Sequence, residues 1–401
     1  MKNLQHYDFS KRFDDVPLVG SAFSGEHPGM IPLAFGFPYP KSFPIDALVE
    51  SATGALKSEG TQALQYSGGP GQQRILEWIR QRSQLRAIQV NTDQIMITSG
   101  SNQGIDLVAR TLTDPGDSVW VEAPVYFGAL RAFYLAENQL SAFPVDGDGL
   151  RVDLVESALI EAAAGKRPMP KFIYVLPNYH NPAGIRLSVE RRRKLAQLAY
   201  AYNVYIVEDD AYVELNFTGE FWPSIYSFGP ERVIYLSTFS KIVAPGIRMA
   251  WVICQNPDVL SKMKIIKTEG LTSVLMQEIV SDYLEKNDFE NHLEPLITGY
   301  RMRRDVMVEA IHEFFGDEVS FEKPEGGFFL WLTFPTKTDT TRLLHESVKV
   351  GVSFVDGKAF YLHGKPTNDL RLAFSFCDEI TIREGIQKLA AVYKKQKYFI
   401  R

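Results

Sequence analysis

Six short apolar runs, at residues 95–98, 118–122, 172–176, 204–207, 233–236 and 250–253, alternate with stretches of helical period at 103–112, 128–136 and 189–202. Runs of this length are too short for helices and too continuously apolar for strands with one wet face. They fit a mostly parallel sheet of about seven strands with helices on both faces. The fold class is therefore α/β. After Pro257 the texture changes. Long helical stretches at 258–286 and 288–314 precede strands at 327–334, 352–355 and 370–376 and a helix at 380–393. That section reads as a smaller α+β domain.

Residues 1–45 show no helical period and are rich in proline and glycine from Gly25 to Pro44, so they read as an arm joining the small domain. The expected division is this arm, a large domain at 46–286 and a small domain at 287–401. A chain of 401 residues has room for both cores. Its 45 % hydrophobic and 23 % charged residues suit a water-soluble globule, and a net charge of −5 gives nucleic acid no basic face. Cys254 and Cys377 lie in separate apolar runs, as buried thiols in a reducing compartment do. The N-terminus lacks the apolar core of a signal peptide, and no run approaches the roughly 18 apolar residues of a membrane span. A cytoplasmic location without membrane contact is expected.

The polar clusters fall just after the apolar runs, at what a parallel sheet makes its ligand-binding edge. Lys241 ends Ser237-Thr238-Phe239-Ser240-Lys241, directly behind the run 233–236, with Arg248 seven residues on. An amine there suits proton loss and attack on a carbonyl, and the hydroxyls and arginine suit a phosphate. Together they point to a cofactor carrying both an aldehyde and a phosphate. Thr98-Ser99-Gly100-Ser101-Asn102-Gln103 precedes a helix and reads equally as an anion site or an ordinary cap. Tyr126, after the run 118–122, is a stacking platform or core.

In Asn178-Tyr179-His180-Asn181-Pro182 the asparagine before proline marks a turn, and His180 lacks a second metal ligand at a suitable spacing, so no metal is expected. Glu208-Asp209-Asp210-Ala211-Tyr212 offers three readings: metal ligands, a solvated loop, or one buried carboxylate facing a cationic ring nitrogen. Around Arg371, strand alternation groups the arginine with Ala373 and Ser375 and puts Leu370, Leu372 and Phe374 opposite. A guanidinium beside small residues is either a carboxylate pocket or a structural ion pair.

In chain order these clusters read Tyr66-x-x-x-x-Gly71, Gly100-Ser101-x-Gln103, Pro124-x-Tyr126, Asn181-Pro182-x-Gly184, Asp209-x-x-Tyr212, Ser240-Lys241 and Arg371-Leu372-x-Phe374-Ser375. The ordered set resembles the fold-type I pyridoxal-phosphate enzymes, specifically the class I/II aminotransferases. Leu33-Ala34-Phe35-Gly36-Phe37-Pro38, Glu208-Asp209-Asp210 and Pro245-Gly246-Ile247-Arg248 resemble the branch of 2-aminoadipate and kynurenine aminotransferases. The same core is found in bacterial regulators behind a helix-turn-helix domain, for which this chain is expected to have no room.

The resemblance implies pyridoxal 5′-phosphate bound to Lys241 as an internal aldimine, with Asp209 at the ring nitrogen and Asn181 and Tyr212 at the ring hydroxyl. It implies Tyr126 stacked on the ring, and Ser101, Asn102, Thr238, Ser240 and Arg248 around the phosphate. Tyr66 would come from the second subunit of a homodimer, Arg371 would take the substrate α-carboxylate, and Gly36 would lie against the substrate. The implied reaction is ping-pong transfer of an α-amino group from an amino acid to a 2-oxo acid, 2-oxoglutarate being the expected acceptor, with Lys241 as the proton shuttle. β-Elimination, decarboxylation or racemisation on the same cofactor, and a non-catalytic effector-binding domain, are the alternatives. Asn102, Thr238 and Ala183 stand where the family often has Gln, Ser and Thr.

Overall fold

The computed structural model describes residues 10–13, 29–58, 60–66, 69–267 and 272–399. Most of the arm expected at 1–45 lies outside them. Strand β1 (Ile31–Pro32) pairs in parallel with β11 (Val352–Ser353), Ile31 opposite Val352. Residues close to the start of the described chain are thereby tied to its last third.

The main sheet contains β2 (Ile95–Thr98), β3 (Ser118–Ala123), β4 (Gln139–Asp146), β5 (Gly149–Leu150), β6 (Phe172–Val175), β7 (Tyr205–Asp209), β8 (Val233–Thr238) and β9 (Ala250–Cys254). Their order is β2-β9-β8-β7-β6-β3-β4-β5. The five strands from β4 to β8 in that order run parallel, β9 is antiparallel to both its neighbours, and the two-residue β5 turns back on β4. This is the mostly parallel sheet expected.

Alternation along the strands separates two cores. Val119, Val121, Phe172, Tyr174 and Val207 face the helices Ser101–Leu112 and Phe127–Leu135, while Trp120, Ile173, Val175 and Ile206 face the opposite layer. Each fully buried large side chain contributes about 1.5–3 kcal/mol of burial free energy. Phe172→Ala would lose about 3–5 kcal/mol with its cavity.

A second sheet is antiparallel, with β13 (Asp369–Ala373) between β10 (Phe329–Thr333) and β12 (Val355–Asp356). The long helices Phe289–Phe315 and Glu379–Phe399 pack against each other beside it. Asp288 starts the first of these by accepting from the backbone N–H of Glu290 and Asn291, satisfying donors that a helix start leaves free.

Several elements differ from the sequence reading. The run 258–286 is two helices, Pro257–Ile266 and Val274–Lys286, because Ser273 accepts from the N–H of Met276 and opens a new helix. The run 352–355 is two strands in two sheets, β11 and β12, with buried Phe354 between them. The strand expected to reach 376 ends at Ala373. β4 and the helix Val152–Ala163 were not expected. Most of β4 is exposed or only part-buried, so an edge strand leaves no apolar run.

Candidate active site

Five loops leave the carboxyl edge of the main sheet, after β2, β3, β6, β7 and β8, and all five carry residues singled out above. Lys241 closes a single 3₁₀ turn, Phe239–Lys241, whose start is fixed by Thr238 accepting from the Ser240 N–H at 3.1 Å. Its Nζ donates to the Gly36 carbonyl at 3.3 Å and lies 5.6 Å from the ring centres of both Tyr212 and Phe328. Burial, then the positive charges of Arg371 and Arg248, push its pKa down to about 8, against the pull of Asp209.

Asp209 ends β7 with its carboxylate buried. Tyr174 donates to Oδ2 at 2.6 Å, whereas Oδ1 has no partner. Burial raises the carboxyl to about 7, partly offset by the Tyr174 hydrogen bond. Its two neighbours in the chain, Glu208 on the strand and Asp210 just past it, have partners of their own on the other side. Glu208 accepts from the N–H of Ile225 and Tyr226, both at 2.9 Å. Asp210 accepts from Asn178 Nδ2 at 2.8 Å and Tyr235 Oη at 3.0 Å. All three acids of this triplet are buried, so the solvated loop is not what forms, and Asp209 alone keeps an oxygen without a partner; no group of His, Cys, Asp and Glu among the described residues could hold a metal.

Arg371 sits on β13, 2 % exposed, flat over the Phe329 ring at 4.1 Å. Nη1 donates to Asn181 Oδ1 and Nη2 to the Ala34 carbonyl, each at 2.9 Å. Nε has no partner, and among the described residues no carboxylate pairs with this guanidinium. Burial lowers its pKa to about 10, so it keeps its charge at neutral pH. Within the described residues Arg371 thus forms no ion pair, and its Nε is left open. Gly36 lies close by: a Cβ there would come within 2.5 Å of Phe329 Cζ.

Asn181 is buried and joined to Arg371, and Tyr212 packs edge-on to Phe328 and Phe329. Burial raises the Tyr212 phenol, opposed by a hydrogen bond with Asn181. His180 belongs to the turn itself. Its Nδ1 accepts from the Ala183 N–H at 3.1 Å, and Nε2 lies 3.1 Å from buried Glu122, off the line of a good hydrogen bond. Glu122 Oε2 also accepts from Leu176 N at 2.8 Å, tying this turn and the end of β6 to β3.

Around the helix start Ser101–Leu112, Asn102 Oδ1 accepts from Tyr126 Oη at 3.2 Å. Gly100 takes φ +89°, which a side chain would strain, and the Arg248 guanidinium fills the space beside it. Arg248 Nη2 donates to the Ser99 carbonyl at 3.3 Å. Thr238 Oγ1 and Ser240 Oγ are 2.9 Å apart. The Arg248 guanidinium thus lies beside the start of this helix, a setting for a phosphate. Tyr66 stands 98 % exposed and meets none of the other expected site residues among the described residues.

Tyr174, Glu122 and Phe329 were not found in the sequence. Each sits inside an apolar strand or at its end and reads there as core. Their partners, Asp209, His180 and Arg371, come from other strands, so no local pattern marks them.

The residues present fit pyridoxal 5′-phosphate. An open carboxylate oxygen can meet a ring N–H, a half-buried amine can meet an aldehyde, and the helix start can meet a phosphate. The comparisons with known proteins agree. Residues 30–389 match the family Aminotransferase class I and II. Aromatic-amino-acid aminotransferase 1 of Thermococcus litoralis is 39 % identical over 374 residues, 92 % of this chain and 88 % of its own. The kynurenine aminotransferase of Pyrococcus horikoshii, solved in complex with PMP, superposes with a TM-score of 0.90 at 36 % identity, covering 97 % of each chain. The alpha-aminoadipate aminotransferase of Thermus thermophilus, solved with N-(5′-phosphopyridoxyl)-L-leucine, gives 0.89 at 31 % identity over 98 % of each chain. With that sheet edge, that donor set and these matches, the chain belongs to the class I and II aminotransferases, close to their aminoadipate and kynurenine branch, as an enzyme that uses pyridoxal phosphate to transfer amino groups.

Proposed function

We propose that the enzyme moves an α-amino group from an amino acid to 2-oxoglutarate by a ping-pong mechanism, with Lys241 as proton carrier. The observation that carries this reading is Arg371, a buried guanidinium without a carboxylate partner among the described residues, in the same site as a lysine whose pKa is pushed down to about 8. When bound, the cofactor supplies an aldehyde that accepts the amino group and a protonated ring that draws electrons from the substrate Cα.

The chain's own residues do the rest. Arg371 grips the α-carboxylate through its planar fork, and Gly36, whose missing side chain lets the Phe329 ring in, lies against the substrate. Lys241 Nζ is close to half neutral near pH 8, so it takes a proton from Cα and returns one on the cofactor side without a large energetic gap. Asp209 Oδ1 would hold the proton on the ring nitrogen of the bound cofactor. Asn181 and Tyr212 would hold the ring hydroxyl oxygen, Tyr126 would stack on the ring, and Ser101, Asn102, Thr238, Ser240 and Arg248 would hold the phosphate.

Tyr66 serves the site of a second copy of this chain, which is why it is exposed on its own. The enzyme is thus a homodimer whose isolated monomers are inactive. We read residues 46–286 as the cofactor-binding domain and 287–401 as the small domain, with the arm at 1–45 joining the small domain, a division that the β1–β11 pairing supports. Two buried free thiols, and the lack of a helix long and apolar enough to cross a membrane among the described residues, support a cytoplasmic location.

The test is a spectrum. Adding a donor amino acid to the yellow holoenzyme should convert it to the aminated form, and 2-oxoglutarate should restore it. A panel of donors against 2-oxoglutarate and pyruvate then assigns both substrates. Ammonia release, or a spectrum that 2-oxo acids do not restore, would overturn the proposal.

A further inference from the structure

We infer that Tyr174 is a positioning residue for the reaction: its hydroxyl grips Asp209 Oδ2 and so presents Oδ1, as a charged carboxylate oxygen, to the ring nitrogen. This rests on the reading of Asp209 given above and adds the residue that makes it work. Tyr174 lies in the middle of β6, opposite Val207 of β7, so alternation puts Tyr174 and Asp209 on one face of the sheet. Its ring is fully buried, with Phe133 edge-on at 5.4 Å, which fixes the direction of the hydroxyl.

The Oη–Oδ2 separation of 2.6 Å is that of a hydroxyl donating to a charged oxygen. Burial and Asp209 hold the Tyr174 proton far above its ordinary range, so the phenol remains a donor at any working pH. Of the charged groups that act on Asp209, Lys241 beyond β8 favours the carboxylate, while Asp210 next in the chain and Glu122 near the end of β3 oppose it. Among the described residues Tyr174 is the hydrogen-bond donor to Asp209, and Oδ1 is left without one. Phenylalanine at 174 would fill the same space. What it would lack is the hydroxyl, and burial would then favour the neutral acid. The proton would rest on Asp209 instead of on the ring nitrogen.

The experiment uses holoenzyme reconstituted with pyridoxal phosphate labelled with ¹⁵N in the ring, whose chemical shift separates protonated from unprotonated pyridine nitrogen. Tyr174→Phe should move the signal at pH 7 toward the unprotonated value. It should also slow the amino-donor half-reaction roughly tenfold or more, with little change in donor KM. An identical ¹⁵N shift in variant and wild type would overturn the inference whatever the rate does. Asp209→Asn separates the two layers of the claim. If it moves the signal and Tyr174→Phe does not, only the role of Tyr174 fails; if Asp209→Asn leaves the signal in place, the reading of Asp209 fails and the inference with it. Should Tyr174→Phe not fold, 3-fluorotyrosine at position 174 keeps the packing and strengthens the donor. The Asp209 carboxyl of ¹³C-aspartate-labelled apoenzyme should then titrate below the wild-type midpoint near 7. An unchanged midpoint would count against the inference.

Discussion

The carboxyl edge of the main sheet has two faces, and β7 touches both. On one side Glu208 and Asp210 are buried with fixed donors on both carboxylate oxygens, and Arg192 nearby donates to Leu187, Pro177 and Pro223 carbonyls and to Asn178 Oδ1. On the other side Asp209 has one donor and one open oxygen, and Arg371 has an open Nε and no carboxylate among the described residues. The same residue types, equally buried, are complete on the first face and incomplete on the second. A buried polar group left half-satisfied costs stability, so its retention marks where a ligand completes the set. The first face holds the second in place.

The comparison can be broken or sharpened by substitution. Lys241→Ala carries the largest effect, a loss of roughly 10³-fold or more in the donor half-reaction with the fold intact, read by stopped-flow absorbance. Arg371→Ala comes next, with kcat/KM for the donor falling roughly 10²–10³-fold while the far-ultraviolet circular dichroism is unchanged. If Arg371→Ala instead unfolds the protein, the two faces are not different in kind.

The adjacent acids should then separate. Asp209→Asn should lower activity without loss of fold, whereas Asp210→Asn should lower the unfolding free energy by about 1–3 kcal/mol, since an amide cannot accept from both Asn178 and Tyr235. The Asp209 carboxyl rises from roughly 3.9 in the unfolded chain to about 7 in the folded apoenzyme. Its raised value contributes stability that is complete below about pH 4 and lost as pH rises through 7. Apoenzyme Asp209→Asn should accordingly gain on wild type between pH 4 and pH 8, by up to about 4 kcal/mol in denaturant unfolding. A flat difference would place that carboxyl outside the buried setting described. The smallest effect is expected for Thr238→Ser, which keeps the hydroxyl beside Ser240 and should change cofactor affinity by less than about threefold.

Much of this was legible in the sequence because the ligand-bearing loops follow strands that are short and wholly apolar. Lys241 after 233–236 and Asp209 after 204–207 stand out for that reason. The alternation that turns Asp209 away from Glu208 and Asp210 also follows from the strand period, but which face holds the site does not. That choice depends on Tyr174, Arg371 and Asn181 arriving from other strands. β4 was illegible because its edge position leaves it largely exposed. The division of 352–355 was illegible because its two halves pair with different strands, one far upstream and one just downstream, as β1 and β13 show. Arg371 could be grouped with its small neighbours, but the lack of a carboxylate partner is a property of three dimensions.

The most direct measurement is chemical trapping. Borohydride reduction of the holoenzyme fixes the cofactor to whichever amine holds it, and peptide mass spectrometry then locates the phosphopyridoxyl group. The structure predicts the label on Lys241 alone, and on no lysine in Lys241→Ala. A label on another lysine, or none in the wild-type chain, would contradict the account.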